Sequence, residues 1–335
     1  MVISIAVVAY NEAKTLPSLL SDIVAQDYPH SKTEILLIDS MSSDNTAEIM
    51  KKFAEDQRDF YYGIKLLKNE NKTLPYGCNI MLENYSGDAI VRIDAHASMP
   101  SDFISKNVAV LESGEFVSGG RRPNIIDEET PFKKVLNIAE SALFGSGFAA
   151  YRNSEKKQYV SSIFHGMYRR EVFETVGRYN ELLARTEDND MSERINRAGF
   201  KMCYDPNIVS YQHTRSTLPL MLRQKFLNGY WIAKTLGVNP GCISLFHLVP
   251  FFFVMAIVIT TLLSFFGIWQ LSALLWGAYS LFILANSVIE LIRNEFHPVN
   301  LILPLLFFLL HLAYGVGTVK GFIELPFWVR KIKEK

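Results

Sequence analysis

Apolar and polar positions divide this chain into two unlike parts. Up to about residue 234, short apolar runs alternate with polar stretches; from Thr235 to Ile289, and again from Phe296 to Val319, there is no Asp, Glu, Lys or Arg. In the first part, Val2–Ala9 is an apolar run rich in β-branched residues, the signature of a strand buried on both faces of a parallel sheet. Leu16–Gln26 has helical spacing. Glu34–Ile38 reads as a second strand ending on Asp39, Thr46–Ala54 as a helix capped by Ser42 or Ser43, and Ile64–Leu67 as a third strand. Tyr76–Asn84 reads as a helix and Ala89–Ile93 as a fourth strand ending on Asp94. Strand–helix alternation of this kind predicts right-handed crossovers and a doubly wound, mostly parallel sheet. Ligands of such sheets bind beyond the carboxyl ends of the strands. Tyr10-Asn11-Glu12, Asp39 and Asp94-Ala95-His96 all fall there.

The segment from Gly119 to Leu236 is less regular. It holds a basic turn (Arg121, Arg122), an amphipathic stretch over Phe132–Tyr151, a helix over Met191–Ala198 capped by Thr186 or Asp188, and an amphipathic helix over Leu218–Leu236. That last segment mixes Leu220, Leu222, Phe226, Leu227, Trp231 and Ile232 with Arg223, Lys225 and Lys234, as headgroup-level helices do; packing on the globular part is the alternative. About 20 apolar residues suffice to cross a bilayer. The pattern therefore predicts a globular domain over 1–215, an interfacial helix or linker over 216–240, and a transmembrane module over 241–325. Two spans (about 243–269 and 271–292) and a third apolar segment (299–319) make up that module, and a basic tail covers 326–335. Three crossings would carry Arg330, Lys331, Lys333 and Lys335 away from the side of the globular domain, against the tendency of basic residues to stay cytoplasmic. The reading adopted is three spans, with a re-entrant or interfacial third segment as the alternative.

Composition narrows the picture. Lys plus Arg and Asp plus Glu both number 34, so net charge gives no case for nucleic acid. Cys78, Cys203 and Cys242 form neither a zinc spacing nor a disulfide framework, and the N-terminus lacks the basic lead of a secretory signal. An integral protein of the cytoplasmic membrane with its catalytic domain in the cytoplasm is expected.

The motifs VVAYNE, IDSMSSDNT, RIDAHA and RTEDNDMSERINRAG, in this order, resemble those of glycosyltransferase family 2, inverting enzymes with the GT-A fold. The likeness covers about residues 1–215. PYGCN, FHGMYRREVFETVG and the HTR…RQKF…GYW stretch look most like transferases of the succinoglycan-biosynthesis type, which extend lipid-linked sugars. The resemblance implies a nucleoside-diphosphate sugar, expected to be a UDP-hexose, as donor, with a polyprenyl-linked saccharide as acceptor at the membrane lipid. It assigns Tyr10 and Asp39 to the nucleotide, in a site that would include Ala9, Glu12, Lys72 and Asp94. Asp94-Ala95-His96 stands where the family has its DxD metal motif, with His in place of the second Asp, and His213 of YQHTR is a further candidate ligand. Imidazole suits Mn²⁺ better than Mg²⁺, so either cation is expected, Mn²⁺ performing at least as well. Asp188 matches the family's catalytic base, with Glu187 beside it.

The residues support the same chemistry. A flat aromatic can lie on a nucleobase, a cation can neutralise a departing diphosphate, and a carboxylate can take the proton of an attacking hydroxyl. Arg92, Lys72 and Arg215 are candidate phosphate partners. A polyprenyl-phosphate sugar transferase is the alternative function. A processive synthase lacks support because QxxRW is absent at Gln224, and a scaffold or transporter would leave the Asp39, Asp94 and Asp188 set accidental.

Overall fold

The computed structural model describes residues 1–145, 154–214 and 217–334. Arg215, the end of the Phe132–Tyr151 stretch and Lys335 lie outside the described residues. The chain forms two compact units. The first comprises Met1–Asn124 and the described part of Ala149–His213; the second comprises the described parts of Ile125–Phe148 and Thr214–Lys335.

The first unit is built on an eight-stranded sheet of order β3-β2-β1-β4-β9-β6-β10-β8. Its strands are β1 (Ile3–Ala9), β2 (Thr33–Asp39), β3 (Gly63–Lys68), β4 (Ala89–Asp94), β6 (Val117–Arg121), β8 (Gln158–Val160), β9 (Met167–Arg169) and β10 (Met202–Val209). The stretch β3-β2-β1-β4 is parallel throughout, as the alternating sequence predicts. Beyond it the sheet turns mixed, because β9 is antiparallel to both β4 and β6, and β8 to β10. Short strands β5 (Ala97–Ser98) and β11 (Tyr211–His213) pair antiparallel in a separate ribbon, and β7 is Asn124–Ile125.

Helices α1 (Leu16–Val24), α2 (Thr46–Gln57), α3 (Leu74–Asn84), α4 (Phe103–Glu112), α6 (Arg170–Val176) and α7 (Glu187–Arg197) complete this unit. Apolar residues on the two sheet faces make two cores. Ile3, Ile5, Val7, Leu16, Leu19 and Phe103 lie in one, and Ala6, Leu36, Ile38, Met191 and Ile195 in the other. Each full burial of a Leu or Ile side chain contributes roughly 1.5–3 kcal/mol. Helix α3 lies so close to β1 that a Cβ on Gly77 would sit 2.5 Å from a Val8 methyl. The expected serine caps are not used: α2 follows Asn45, while Asp44 accepts from the Thr46 backbone at 3.1 Å.

The second unit contains α5 (Pro131–Ser141), α8 (Leu218–Leu236), α9 (Val249–Phe265), α10 (Trp269–Arg293) and α11 (Leu303–Lys333). Three helical segments, Leu245–Phe265, Trp269–Arg293 and Pro298–Lys333, are long and apolar enough to cross a membrane. The last runs on through the basic residues expected to form a tail. Its buried residues Leu303, Leu306, Phe307 and Leu310 share a core with Val135, Leu136 and Ala139 of α5 and Met221 of α8.

Candidate active site

The parallel register places the motif residues side by side. Ala9 is opposite Asp39, and Val8 is opposite Asp94, so three strand ends open at one edge. The loops there are tied to each other. The Asn11 backbone donates to Ser42 Oγ at 3.0 Å, Ser43 N donates to Asn11 Oδ1 at 2.8 Å, and Glu12 N donates to Thr46 Oγ1 at 2.9 Å. Asn11 (φ 55°), Met41 (φ 60°) and Lys72 (φ 63°) follow β1, β2 and β3 in left-handed backbone conformations. Such residues are uncommon outside glycine and gather where a loop is held for function. Ala9 is buried, whereas the Tyr10 ring is 50% exposed and free to receive a flat ligand. Asp39 accepts from the Ser42 backbone at 3.2 Å, which fixes its carboxylate in the β2–α2 loop. Lys72 is exposed on the β3–α3 loop.

Asp94 lies at the centre. Arg92 Nη2 is 3.6 Å from its Oδ1, and His165 Nε2 is 3.4 Å from its Oδ2. Burial raises the Asp94 pKa, but Arg92 and then His165 outweigh it and hold the carboxyl well below its ordinary range. Arg92 is a largely covered side chain and not a surface one. It is enclosed beneath the site, where Nη1 donates to Cys78 Sγ at 3.2 Å and pairs with Glu187 Oε1 at 3.5 Å. The thiol it touches is pushed by burial to about 11, so Cys78 is no nucleophile at neutral pH.

His96 and His213 have polar neighbours of their own. His96 Nδ1 is 3.1 Å from Glu12 Oε1, and His213 Nε2 is 3.4 Å from Ser98 Oγ. The β5–β11 register sets Tyr211 opposite Ser98 and Gln212 opposite Ala97. Among the described residues, no three His, Cys, Asp or Glu side chains form a ready metal cage. The donor set nevertheless suits a cation that arrives with a diphosphate. Such ions take one or two protein groups and complete their shell from phosphate and water, and the ionised Asp94 carboxylate is a hard oxygen ligand.

Helix α7 presents the paired acids. It begins four residues earlier than the sequence pattern indicated, so Glu187 and Asp188 stand in its first turn, where the helix dipole favours negative charge. Neither Thr186 nor Asp188 caps it by a side-chain bond. Glu187 is buried, and burial first and the Asp188 charge second push its carboxyl up to about 7. Asp188 is also raised by burial, against the pull of Arg92. Asp188 and Arg92 line a small cavity of about 30 Å³ with Phe164, His165, Tyr168 and Tyr179. Asp190 points elsewhere, binding Arg194 at 2.9 Å; Arg194 in turn donates to the carbonyls of Val176 and Arg178 and anchors α7.

The sequence pattern missed His165. It is buried with φ 46°, and its Nδ1 lies 2.9 Å from Ser210 Oγ. Burial pushes its imidazole down, against the pull of Asp94. Its signal was a His-Gly pair just before a short strand: a Cβ on Gly166 would come within 2.6 Å of Ile163. Arg122, noted only as part of a basic turn, stacks 3.3 Å over the Phe164 ring.

The model of the family described as glycosyl transferase family 2 matches residues 4–177. The chain is 28% identical, over 96% of its length and 97% of the relative's, to a Methanococcus voltae protein. That relative is named dolichyl N-acetyl-alpha-D-glucosaminyl phosphate 3-beta-D-2,3-diacetamido-2,3-dideoxy-beta-D-glucuronosyltransferase. It is 23% identical to the succinoglycan biosynthesis protein ExoA of Rhizobium meliloti (strain 1021), over 96% of this chain and 94% of that one. Among solved structures, the mannosyltransferase PcManGT of Pyrobaculum calidifontis, in complex with GDP-Man and Mn²⁺, superposes with a TM-score of 0.63 at 19% identity, covering 95% of this chain and 86% of that one. At that identity the likeness establishes the fold. With its GT-A-type mixed sheet and acid-bearing strand ends, the chain belongs to glycosyl transferase family 2 and is a glycosyltransferase.

Proposed function

We propose that the protein moves a hexose, with inversion, from a nucleoside-diphosphate sugar (a UDP-sugar by preference) to a polyprenyl-linked saccharide at the cytoplasmic face of a membrane. The observation that carries this reading is one largely covered guanidinium, Arg92, lying between Asp94 on the donor side and Glu187 of the paired acids. Leaving-group charge and acceptor proton can then be handled in adjoining positions. The methanococcal relative, whose name specifies a dolichyl-phosphate-linked acceptor, matches over nearly its whole length, apolar helices included. Those helices support membrane attachment.

In this mechanism Tyr10 stacks on the base and Asp39 accepts from base or ribose, while Ala9 and Glu12 shape the loop beneath. Lys72 draws near the phosphates. Asp94 would hold the divalent cation, Mn²⁺ or Mg²⁺, with His96 and His213 as reserve ligands on the neighbouring ribbon. When bound, that ion supplies neutralisation of the diphosphate leaving group. Asp188, facing the cavity, takes the proton of the acceptor hydroxyl as it attacks the anomeric carbon opposite the departing nucleotide. Glu187, more deeply buried, tunes that base through its charge.

Product analysis tests the reading. Purified protein is given nucleotide sugars with either a lipid-diphosphate saccharide or a bare polyprenyl phosphate. Nucleotide release coupled to extension of the saccharide is expected. A product in which the sugar sits directly on the lipid phosphate would replace this reading with that of a polyprenyl-phosphate sugar transferase.

A further inference from the structure

We infer that the membrane part crosses the bilayer twice, as the α9–α10 hairpin, while α8 and α11 lie side by side in the interface on the side from which the chain enters at Thr217. The inference rests on the proposed reading of the apolar helices as membrane-inserted. It replaces the three-span expectation with an even count, and it puts Arg330, Lys331 and Lys333 on the entry side.

Close packing shows α8 and α11 to be parallel neighbours along most of their length. A Cβ added to Gly317 would meet the Phe226 carbonyl at 2.0 Å, one on Gly321 the Tyr230 carbonyl at 2.5 Å, and one on Gly237 the Val329 side chain at 3.1 Å. Residue numbers rise together on both helices, so the two share depth and direction. Helix α8 carries Arg223, Gln224, Lys225 and Asn228 in its middle, which suits an interface and not a hydrocarbon core. What holds for α8 then holds for its partner.

Contacts at both ends of α11 agree. Its start packs on α5, a helix whose Lys133 and Lys134 make exposed ion pairs with Glu128 and Glu129. Toward its end, Glu324 lies 3.6 Å from Lys234 of α8 and accepts from the Tyr230 hydroxyl at 2.5 Å. Lys234 also sits 5.0 Å from the Trp328 ring, and Trp328 packs edge-on against Trp231. Basic residues mixed with Trp and Tyr mark the headgroup level. The apolar stretch of α11 is more covered by protein than the hairpin is, 33% against 6% and 11%.

The α9–α10 hairpin has the opposite character. Its tip residues Phe265 and Phe266 are each 82% exposed. Its two arms, Leu245–Phe265 and Trp269–Arg293, are each long and apolar enough to cross a membrane. The hairpin departs beside the middle of α11, where Phe251 meets Phe322 at 5.0 Å, and the chain re-enters α11 at its start. Two crossings also leave the basic residues where the positive-inside tendency wants them.

The test uses the full-length protein in sealed vesicles of known orientation. Cleavable tags at the N- and C-termini and a Gln270→Cys variant are probed with external protease and a membrane-impermeant maleimide, against the labelling of the unaltered cysteines. Both tags should be cleaved from one side and Cys labelling at the tip should occur only from the other. A C-terminal tag cleaved from the same side as the tip is labelled would overturn the two-crossing inference and leave the membrane reading intact. Release of the protein by alkaline carbonate, or all three sites reached from one side, would defeat the membrane reading and the inference with it.

Discussion

The proposed mechanism turns on four charged side chains, Arg92, Asp94, Glu187 and Asp188, whose environments push them apart. Asp94 is held ionised by Arg92 and His165, while Glu187 and Asp188 are raised by burial. Asp188→Asn keeps shape but cannot accept a proton; nucleotide affinity by calorimetry should stay unchanged while transfer falls about 10²–10⁴-fold. A melting curve separates this from lost helix stability, and transfer within a few-fold of the parent would move the base role to Glu187. Glu187 itself makes a stability prediction. Its folded pKa of about 7 lies above the ordinary 4.5, so its contribution is fully present below about 4.5 and is lost as pH rises through about 7. Glu187→Gln should remove that loss, making the variant the more stable protein at pH 8 by on the order of 1–3 kcal/mol relative to their difference at pH 4. Denaturant melts at the two pH values read this directly; an unchanged difference would show that Glu187 titrates normally. The residue scale also limited what the sequence could reveal. Asp39, Asp94 and the Glu187–Asp188 pair were legible because each ends a strand or opens a helix. His165 was not, since it reaches Asp94 only through strand pairing across the sheet.

At the scale of elements, the parallel strands were legible nearly to the residue, because apolar runs bounded by polar loops are a local signal. The antiparallel insertion of β9 between β4 and β6 was not, since a three-residue strand carries no periodicity and its place is set by long-range pairing. The cap of α2 was misplaced for a related reason. Thr46 and Asp44 serve the neighbouring loop, accepting from the backbone N–H groups of Glu12 and Ala13, so tertiary bonds displaced the local cap. The β5–β11 ribbon makes an element-level prediction about the cation. Beside it, His96 Nδ1 lies 3.1 Å from Glu12 Oε1, so ligation through that nitrogen requires its release from Glu12. His96→Asp should then remain active with its preference moved from Mn²⁺ toward Mg²⁺, measured as nucleotide affinity and turnover with each ion. An unaltered ion preference would place His96 in the loop only as a partner of Glu12.

The whole molecule joins a family 2 catalytic fold to helices that cannot be treated as a detachable anchor. The sequence pattern alone predicts that a chain cut before Ile243 keeps all its strand-end motifs, and the strands are indeed all complete by His213. What the pattern did not show is that α5 and α8 bury their apolar faces against α11. Val135, Leu136, Ala139 and Met221 are all fully enclosed with Leu303, Leu306, Phe307 and Leu310. Removing α11 would bare these side chains and leave Lys225 and Glu140, buried 3.7 Å apart, without part of their cover. Exposed apolar patches of this kind drive association. The cut chain should therefore aggregate in plain buffer yet bind nucleotide diphosphate in detergent with near-parental affinity, because no donor residue is lost. Its transfer to a long-chain lipid-linked saccharide should fall at least tenfold even in detergent, since the interfacial α8–α11 pair is broken. Size-exclusion chromatography, calorimetric nucleotide titration and acceptor extension measure the three quantities. A monodisperse cut chain with full transfer would reduce the helices to a tether and remove them from acceptor handling.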